Sequence, residues 1–201
     1  IITLTPKPVT ANDTDTYTPG TPKTVNPLTN DTAGSTIDPK TLVFKPTIPG
    51  ATLSTDGKTL TVPGEGVWTI DPVTGGATFT PEAGFKGSPT PPTYTGKDAA
   101  GVESNPSIIT LTPKPVTAND TDTYTPGTPK TVNPLTNDTA GSTIDPKTLV
   151  FKPTIPGATL SPDGKTLTVP GEGVWTIDPV TGGATFTPEA GYTIDPPVIN
   201  Y

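Results

Sequence analysis

The sequence predicts an all-β chain built from tandem sandwich domains, on three observations. These are a long internal repeat, an alternation of apolar residues with Thr, and Pro and Gly placed as punctuation between the alternating runs. Residues 1–84 recur as residues 108–191 at an offset of 107, and Thr55 opposite Pro162 is the one difference. A period of that length is domain-sized, well above the 20–50 residues of solenoid repeats. Thr5-Pro6-Lys7-Pro8 returns as Thr112-Pro113-Lys114-Pro115. Residues before Pro favour extended backbone, so this segment reads as a short stiff connector. The expected organisation is residues 1–8 as the tail of a preceding repeat with its linker, 9–115 as a complete β-sandwich repeat, and 116–201 as a second repeat lacking its final strand.

Within one repeat the period is two. Thr59-Leu60-Thr61-Val62, Val67-Trp68-Thr69-Ile70, Ala77-Thr78-Phe79-Thr80 and Ile108-Ile109-Thr110-Leu111-Thr112 place apolar residues on one face and Thr on the other. This is the pattern of strands buried on one side, and Thr suits the outer side because it is β-branched and its hydroxyl is solvated. Asp56-Gly57, between Leu53 and Leu60, predicts a tight hairpin, and Asp71-Pro72-Val73-Thr74-Gly75-Gly76 a longer one. No run sustains a 3.6 period, and Pro recurs too often for long helices. Seven or eight short strands are expected, near Tyr17, Val25, Val43, Leu60, Trp68, Phe79, Tyr94 and Ile109. That number in about 100 residues fits tandem immunoglobulin-like β-sandwich domains joined by short Pro-rich linkers.

Composition narrows the function. With 29 Pro and 21 Gly in 201 residues the chain approaches a disordered composition, yet only 15% of residues are charged and the net charge is −7. Self-repulsion of that size does not hold a chain open. Cys, Met, His, Arg and Gln are absent, which excludes catalytic triads, thiol nucleophiles, the usual zinc ligand sets and disulfides. No acid–base pair with a nucleophile can be named, and the chain is not expected to be an enzyme. No basic stripe exists to displace counterions from nucleic acid, and no run of eighteen apolar residues points to membrane insertion. The chain opens Ile-Ile-Thr-Leu without an initiator Met, which reads as a piece of a longer or processed polypeptide.

Two motifs carry a family resemblance. Val62-Pro63-Gly64-Glu65-Gly66-Val67-Trp68-Thr69-Ile70, followed by Ala77-Thr78-Phe79-Thr80-Pro81 and Gly87-Ser88-Pro89-Thr90-Pro91, resembles the CshA-type fibril repeat of bacterial surface adhesins, over roughly residues 50–112 and 157–191. Ala11-Asn12-Asp13-Thr14-Asp15 and Asn26-Pro27-Leu28-Thr29-Asn30-Asp31 more loosely resemble the opening of cadherin-like repeats in large bacterial surface proteins. The second repeat departs from the pattern after Gly191, where no Gly-Ser-Pro-Thr-Pro run follows. The resemblance implies an extracellular stalk or fibril at the bacterial cell surface, holding a binding region away from the cell. Its partners would be neighbouring repeats of the same chain. The alternatives are a binding module, for carbohydrate or for like repeats on other cells, and a fibre subunit.

Several residues invite sharper readings. Trp68 and Trp175 are candidate stacking platforms for a sugar, though one Trp per sandwich more commonly fills the core. Asp13, Asp15 and Asp31, with their counterparts Asp120, Asp122 and Asp138, form a candidate Ca²⁺ site, since carboxylates at alternating positions near a junction supply oxygen ligands. The competing reading is turn chemistry, in which Asn and Asp side chains cap backbone groups. Glu65 and Glu172, each between glycines, are candidate catalysts of a Lys–Asn isopeptide crosslink. Asn12, Asn30, Asn119 and Asn137 head Asn-Asp-Thr sequons. Finally, Ile1–Thr5 repeats the last strand of the first repeat, the strand the second repeat lacks. A neighbouring copy could therefore supply it, joining like chains in a fibre by strand addition. The alternative is an arbitrary cut in a long array.

Overall fold

The computed structural model describes residue 2 and residues 4–201. The protein is all-β, with single 3-10 turns at Pro27–Thr29, Pro39–Thr41, Pro134–Thr136 and Pro146–Thr148. Each turn starts on an Asn or Asp whose side chain accepts from the backbone, as Asn26 does from Leu28 and Asp38 from Lys40. Pro follows at the first turn position, where its missing N–H costs nothing. The chain divides into two compact units, Ile1–Lys114 with Ala140–Ser142, and Pro115–Thr139 with Thr143–Tyr201.

Among the described residues the first unit contains nine strands: β1 (Asp13–Tyr17), β2 (Lys23–Val25), β3 (Val43–Lys45), β4 (Thr52–Leu53), β5 (Thr59–Val62), β6 (Gly66–Ile70), β7 (Ala77–Pro81), β8 (Thr93–Thr95) and β9 (Ser107–Pro113). They form a five-stranded sheet in the order β2-β7-β6-β5-β4 and a four-stranded sheet in the order β1-β9-β8-β3. The first sheet is antiparallel throughout and largely a run of hairpins, with Leu60 opposite Trp68 and Trp68 opposite Phe79. The second is closed by a parallel pair: β1 runs beside β9 from Asp13–Ile109 to Tyr17–Pro113.

The two sheets share one core. Tyr17, Phe44, Tyr94, Ile109 and Leu111 come from the four-stranded sheet, and Val25, Leu60, Val62, Trp68, Ile70, Ala77 and Phe79 from the five-stranded one. Trp68 lies 5.0 Å from Phe79 and 6.5 Å from Phe44 between ring centroids, and Tyr17 meets Phe79 edge-on at 5.7 Å. These geometries suit the aromatic quadrupole. The indole N–H of Trp68 is buried without a hydrogen-bond partner, so packing alone holds the ring.

The Asp56-Gly57 hairpin forms as β4–β5, and the Asp71–Gly76 loop joins β6 to β7. The connector reading of Thr112–Pro115 needs correction, because β9 runs through Thr112 and Pro113 and Lys114 N–H donates to Tyr17 O at 2.8 Å. Thr112 and Pro113 are strand, not linker.

The second unit contains β10 (Lys130–Val132), β11 (Thr159–Leu160), β12 (Thr166–Val169), β13 (Gly173–Ile177) and β14 (Ala184–Pro188), in the order β10-β14-β13-β12-β11. This sheet reproduces that of β2-β7-β6-β5-β4. The other sheet is reduced to one bridge, Lys152 to Asn200, and Asp120–Tyr124, the counterpart of β1, is not a strand. More is missing than the one strand expected from the sequence. The reason is topological: β9 is the partner of both β1 and β8, so a unit without it loses the pairing on either side.

The Pro63-Gly64-Glu65-Gly66 turn depends on backbone that other residues resist. Gly66 has φ +152, and a Cβ there would stand 2.3 Å from Thr80 O; Gly64 has φ +78 with open space around it. Gly66→Ala should destabilise the first unit by more than the roughly 1–2 kcal/mol expected of Gly64→Ala. Denaturant unfolding of the two variants checks this, and equal losses would contradict the packing argument.

Candidate functional site

The carboxylates singled out in the sequence separate into two environments. Asp13, the first residue of β1, is 5% exposed. Its Oδ2 accepts from the Tyr94 hydroxyl at 2.9 Å, and that hydroxyl also lies 3.0 Å from Ala11 O and 3.4 Å from Asp31 Oδ2. Asp31 accepts from Ala11 N–H at 2.7 Å, and Asn30 donates to Asn12 O at 3.0 Å. The cluster ties the start of β1, the loop after the first 3-10 turn and β8 to one hydroxyl. Asp15 points elsewhere and pairs with Lys23 at 2.7 Å.

The second unit repeats this arrangement. Tyr201 donates to Asp120 Oδ2 at 2.8 Å and lies 2.9 Å from Ala118 O and 3.5 Å from Asp138 Oδ2, while Asp122 pairs with Lys130 at 2.8 Å. The candidate Ca²⁺ residues are therefore brought together only as the pairs Asp13–Asp31 and Asp120–Asp138. Among the described residues no group of three or more acidic side chains is arranged to hold a metal ion.

Burial pushes the Asp13 carboxyl up to about 6, with Tyr94 pulling it down and the Asp31 charge adding to the rise. Burial also raises Asp31. Tyr94 is raised by burial and then by the two neighbouring carboxylates, so its hydroxyl stays protonated and donates. The site is a buried proton-binding pair with a fixed donor.

Trp68 offers no face to a ligand. It is 0% exposed, and its rings are covered by Phe44 and Phe79, which removes it as a stacking platform. Trp175 has the same sequence surroundings but is only half-buried; it stacks on Phe186 and borders a cavity of about 560 Å³. Glu65 gives one carboxylate oxygen to Thr90 N–H and the other to Thr90 Oγ, both at 2.6 Å. The isopeptide reading gains nothing from this geometry, because Glu65 serves the fold by fastening the Val-Pro-Gly-Glu-Gly turn to the Ser-Pro-Thr-Pro segment. In the second unit Pro197 stands at the position of Thr90, and Glu172 has only Tyr192 at 3.4 Å.

Sequence reasoning missed Asn105. Its side chain accepts from Thr10 N–H at 2.9 Å and donates to Thr10 O at 2.8 Å, imitating a backbone ladder just ahead of the β1–β9 pair. It also missed Tyr94 as the partner of the Asp pair. The alternation around Thr93-Tyr94-Thr95 signals a strand, but no local signal links it to residues more than sixty positions away.

Two outcomes follow. A carboxyl whose folded pKa lies above its unfolded value near 3.8 binds its proton more tightly when folded. That contribution is present at low pH and is lost as pH rises through about 6. Asp15, Asp71, Asp98 and Glu103 are lowered, chiefly by hydrogen bonds, and their stability is lost as pH falls below the unfolded range. Calorimetry should therefore find the first unit most stable at about pH 4, where the two windows meet, and losing the Asp13 contribution as pH rises to about 6. Asp13→Asn should flatten the decline toward pH 7. Melting with millimolar Ca²⁺ or with chelator should give the same transitions, because Asp15 and Asp122 are held by Lys; a shift with Ca²⁺ would contradict this.

A family model described as the surface adhesin CshA repetitive domain matches residues 5–114. Comparisons with curated proteins and with solved structures give no match. The matched stretch is more than half of the chain, includes β1 through β9, and contains both halves of the motif that Glu65 and Thr90 join. The chain belongs to the surface adhesin CshA repeat family.

Proposed function

We propose that this chain is a structural stalk segment of a secreted bacterial adhesin, with tandem immunoglobulin-like sandwiches projecting a separate binding region from the cell surface. The β3-β8-β9 and β2-β7-β6 neighbours follow the C-F-G and B-E-D order of immunoglobulin sandwiches, which supports the immunoglobulin-like assignment. Duplication of 84 residues with a single difference favours reach over recognition, since copying a spacer adds length in equal steps.

The observation that carries the reading is the parallel β1–β9 pair. Asp13, at the entry of β1, lies opposite Ile109, and Tyr17, at its exit, lies opposite Pro113. A stalk pulled from its ends draws β1 backward from its N-terminal end and β9 forward from its C-terminal end. The pair is loaded in shear, and its hydrogen bonds bear the force together rather than one at a time. Catalysis has no place in this role, and the family supports a structural one.

The competing reading, a carbohydrate-binding module, has less behind it. Trp68 is fully buried and every other described aromatic side chain is buried or half-buried, which gives a sugar little aromatic face to stack on.

Single-molecule pulling should show one high-force event for the first unit. The second unit, without a β1–β9 pair, should unfold earlier at lower force. On a glycan array the chain should show no saturable ligand. A binding module would reverse both results, with a glycan hit and no force difference.

A further inference from the structure

The acid cluster of the first unit sits where a pull on the chain enters β1. Asp13 opens that strand, lies opposite Ile109 of β9 and is 5% exposed. Its neighbour Asn12 accepts from Ile108 N–H of β9 at 3.1 Å, and Asn12 O accepts from the Asn30 side chain at 3.0 Å. Ala11 is bonded through its N–H to Asp31 and through its carbonyl to Tyr94. Tension applied ahead of β1 therefore crosses residues 11–13 before it reaches the β1–β9 pair.

The hydrogen bonds of this cluster are one proton short. The Tyr94 hydroxyl carries a single hydrogen and faces three acceptors: Asp13 Oδ2 at 2.9 Å, Ala11 O at 3.0 Å and Asp31 Oδ2 at 3.4 Å. An ionised carboxyl only accepts. With both acids ionised, two like charges compete for that hydrogen where little water enters. With Asp13 protonated, its own O–H becomes a second donor, Asp31 keeps the remaining charge, and the repulsion ends. The proton comes from solvent and returns to it, and no covalent bond of the chain changes.

Among the described residues, the groups that bear on Asp13 offer it no cation. β9 carries no titratable side chain, β8 contributes Tyr94 alone, and the loop after the first 3-10 turn contributes Asp31 and the neutral Asn30. On β1 itself, Asp15 is paired with Lys23.

We propose that Asp13 and Asp31 form an acid-tightened latch on the entry of β1, sharing one proton in mildly acidic surroundings and releasing it near neutrality. The protonated latch adds a bond between β1 and the Asp31 loop, which opposes withdrawal of β1. Burial, with the Asp31 charge adding to it, raises the Asp13 carboxyl to about 6 against the hydrogen bonds of Tyr94 and Asn30. A proton held more tightly in the folded state stabilises that state at low pH, and the contribution is lost as pH rises through about 6. The latch rests on the stalk reading, because it governs the strand pair that the reading places under load.

Pulling the full chain at constant force tests it. The first unit should survive up to about tenfold longer at pH 5 than at pH 7.5, the ratio set by a proton held at about 6 when folded and near 3.8 when unfolded. Asp13→Asn and Asp31→Asn each put a permanent amide donor in the latch, and each should keep the long lifetime at both pH values. Asp15→Asn, outside the latch, should retain the pH dependence. In carbon-13 NMR of the wild-type chain, the carboxyls of Asp13 and Asp31 should titrate as one coupled pair. Equal wild-type lifetimes at the two pH values overturn the latch and leave the stalk reading standing, as does an undiminished pH dependence in both Asn variants. If no high-force event appears at either pH, the stalk reading fails, and the NMR titration still decides the latch: two carboxyls that titrate independently in the ordinary aspartate range overturn it.

Discussion

The insertion of β9 between β1 and β8 is the constraint on which one whole sheet of the unit depends. Ile109 and Leu111 are fully buried, and burial of such side chains contributes about 1.5–3 kcal/mol each. Five residue pairs join β9 to β1. The second unit has nearly the same sequence up to Gly191, and the residues given for it stop before the place of β9. Its five-stranded sheet persists and its other sheet does not. The sheet that survives is mostly hairpins closed by short turns, whereas β1 and β9 meet across 96 positions. Long-range closure carries a larger loop-entropy cost and rewards the chain only after both ends have arrived.

The buried acid cluster belongs to the same closure. Asp13 and Tyr94 sit on β1 and β8, the two neighbours of β9, and their hydrogen bond reaches past the strand between them. A carboxylate removed from water is costly unless it is paired or hydrogen-bonded, and here the single hydroxyl of Tyr94 serves Asp13, Asp31 and Ala11 O. The same arrangement recurs around Tyr201 in the second unit, so it forms without contacts from β9. It works at some expense to stability near neutral pH, since Asp13 holds its proton more tightly in the folded state.

Much of this was legible in the sequence, and the rest was not, for reasons that can be located. Leu60, Trp68 and Phe79 alternate with Thr, and the structure puts them on the core side of adjacent strands. Asp56-Gly57 and Asp71–Gly76 mark their hairpins because turn chemistry is local. The parallel partner of β1 left no local trace, since parallel pairing is set by the path of the whole chain. The same holds for Glu65 with Thr90 and for Asp13 with Tyr94, whose sequence separations are 25 and 81. The three clustered Asp residues looked like one ligand set. Asp13, Asp15 and Tyr17 share one face of β1, but Asp13 is taken up by the Tyr94 hydroxyl and Asp15 by Lys23, so different partners divide the carboxylates instead of gathering them.

Near-identity of the repeats has a physical consequence of its own. The strand that closes the first unit and the segment that opens the chain have the same sequence from Ile108 through Pro115. Contact energy therefore cannot tell one such strand from another at a β9 slot. Only connectivity can, through the high effective concentration of a strand tethered to its own unit. In the first unit the tether is the run from β8 through Asn105, whose side chain grips Thr10 before β9 begins. Repetition that lengthens a chain in equal steps thus also makes its closing strands chemically equivalent, and the tether alone assigns each to its own unit.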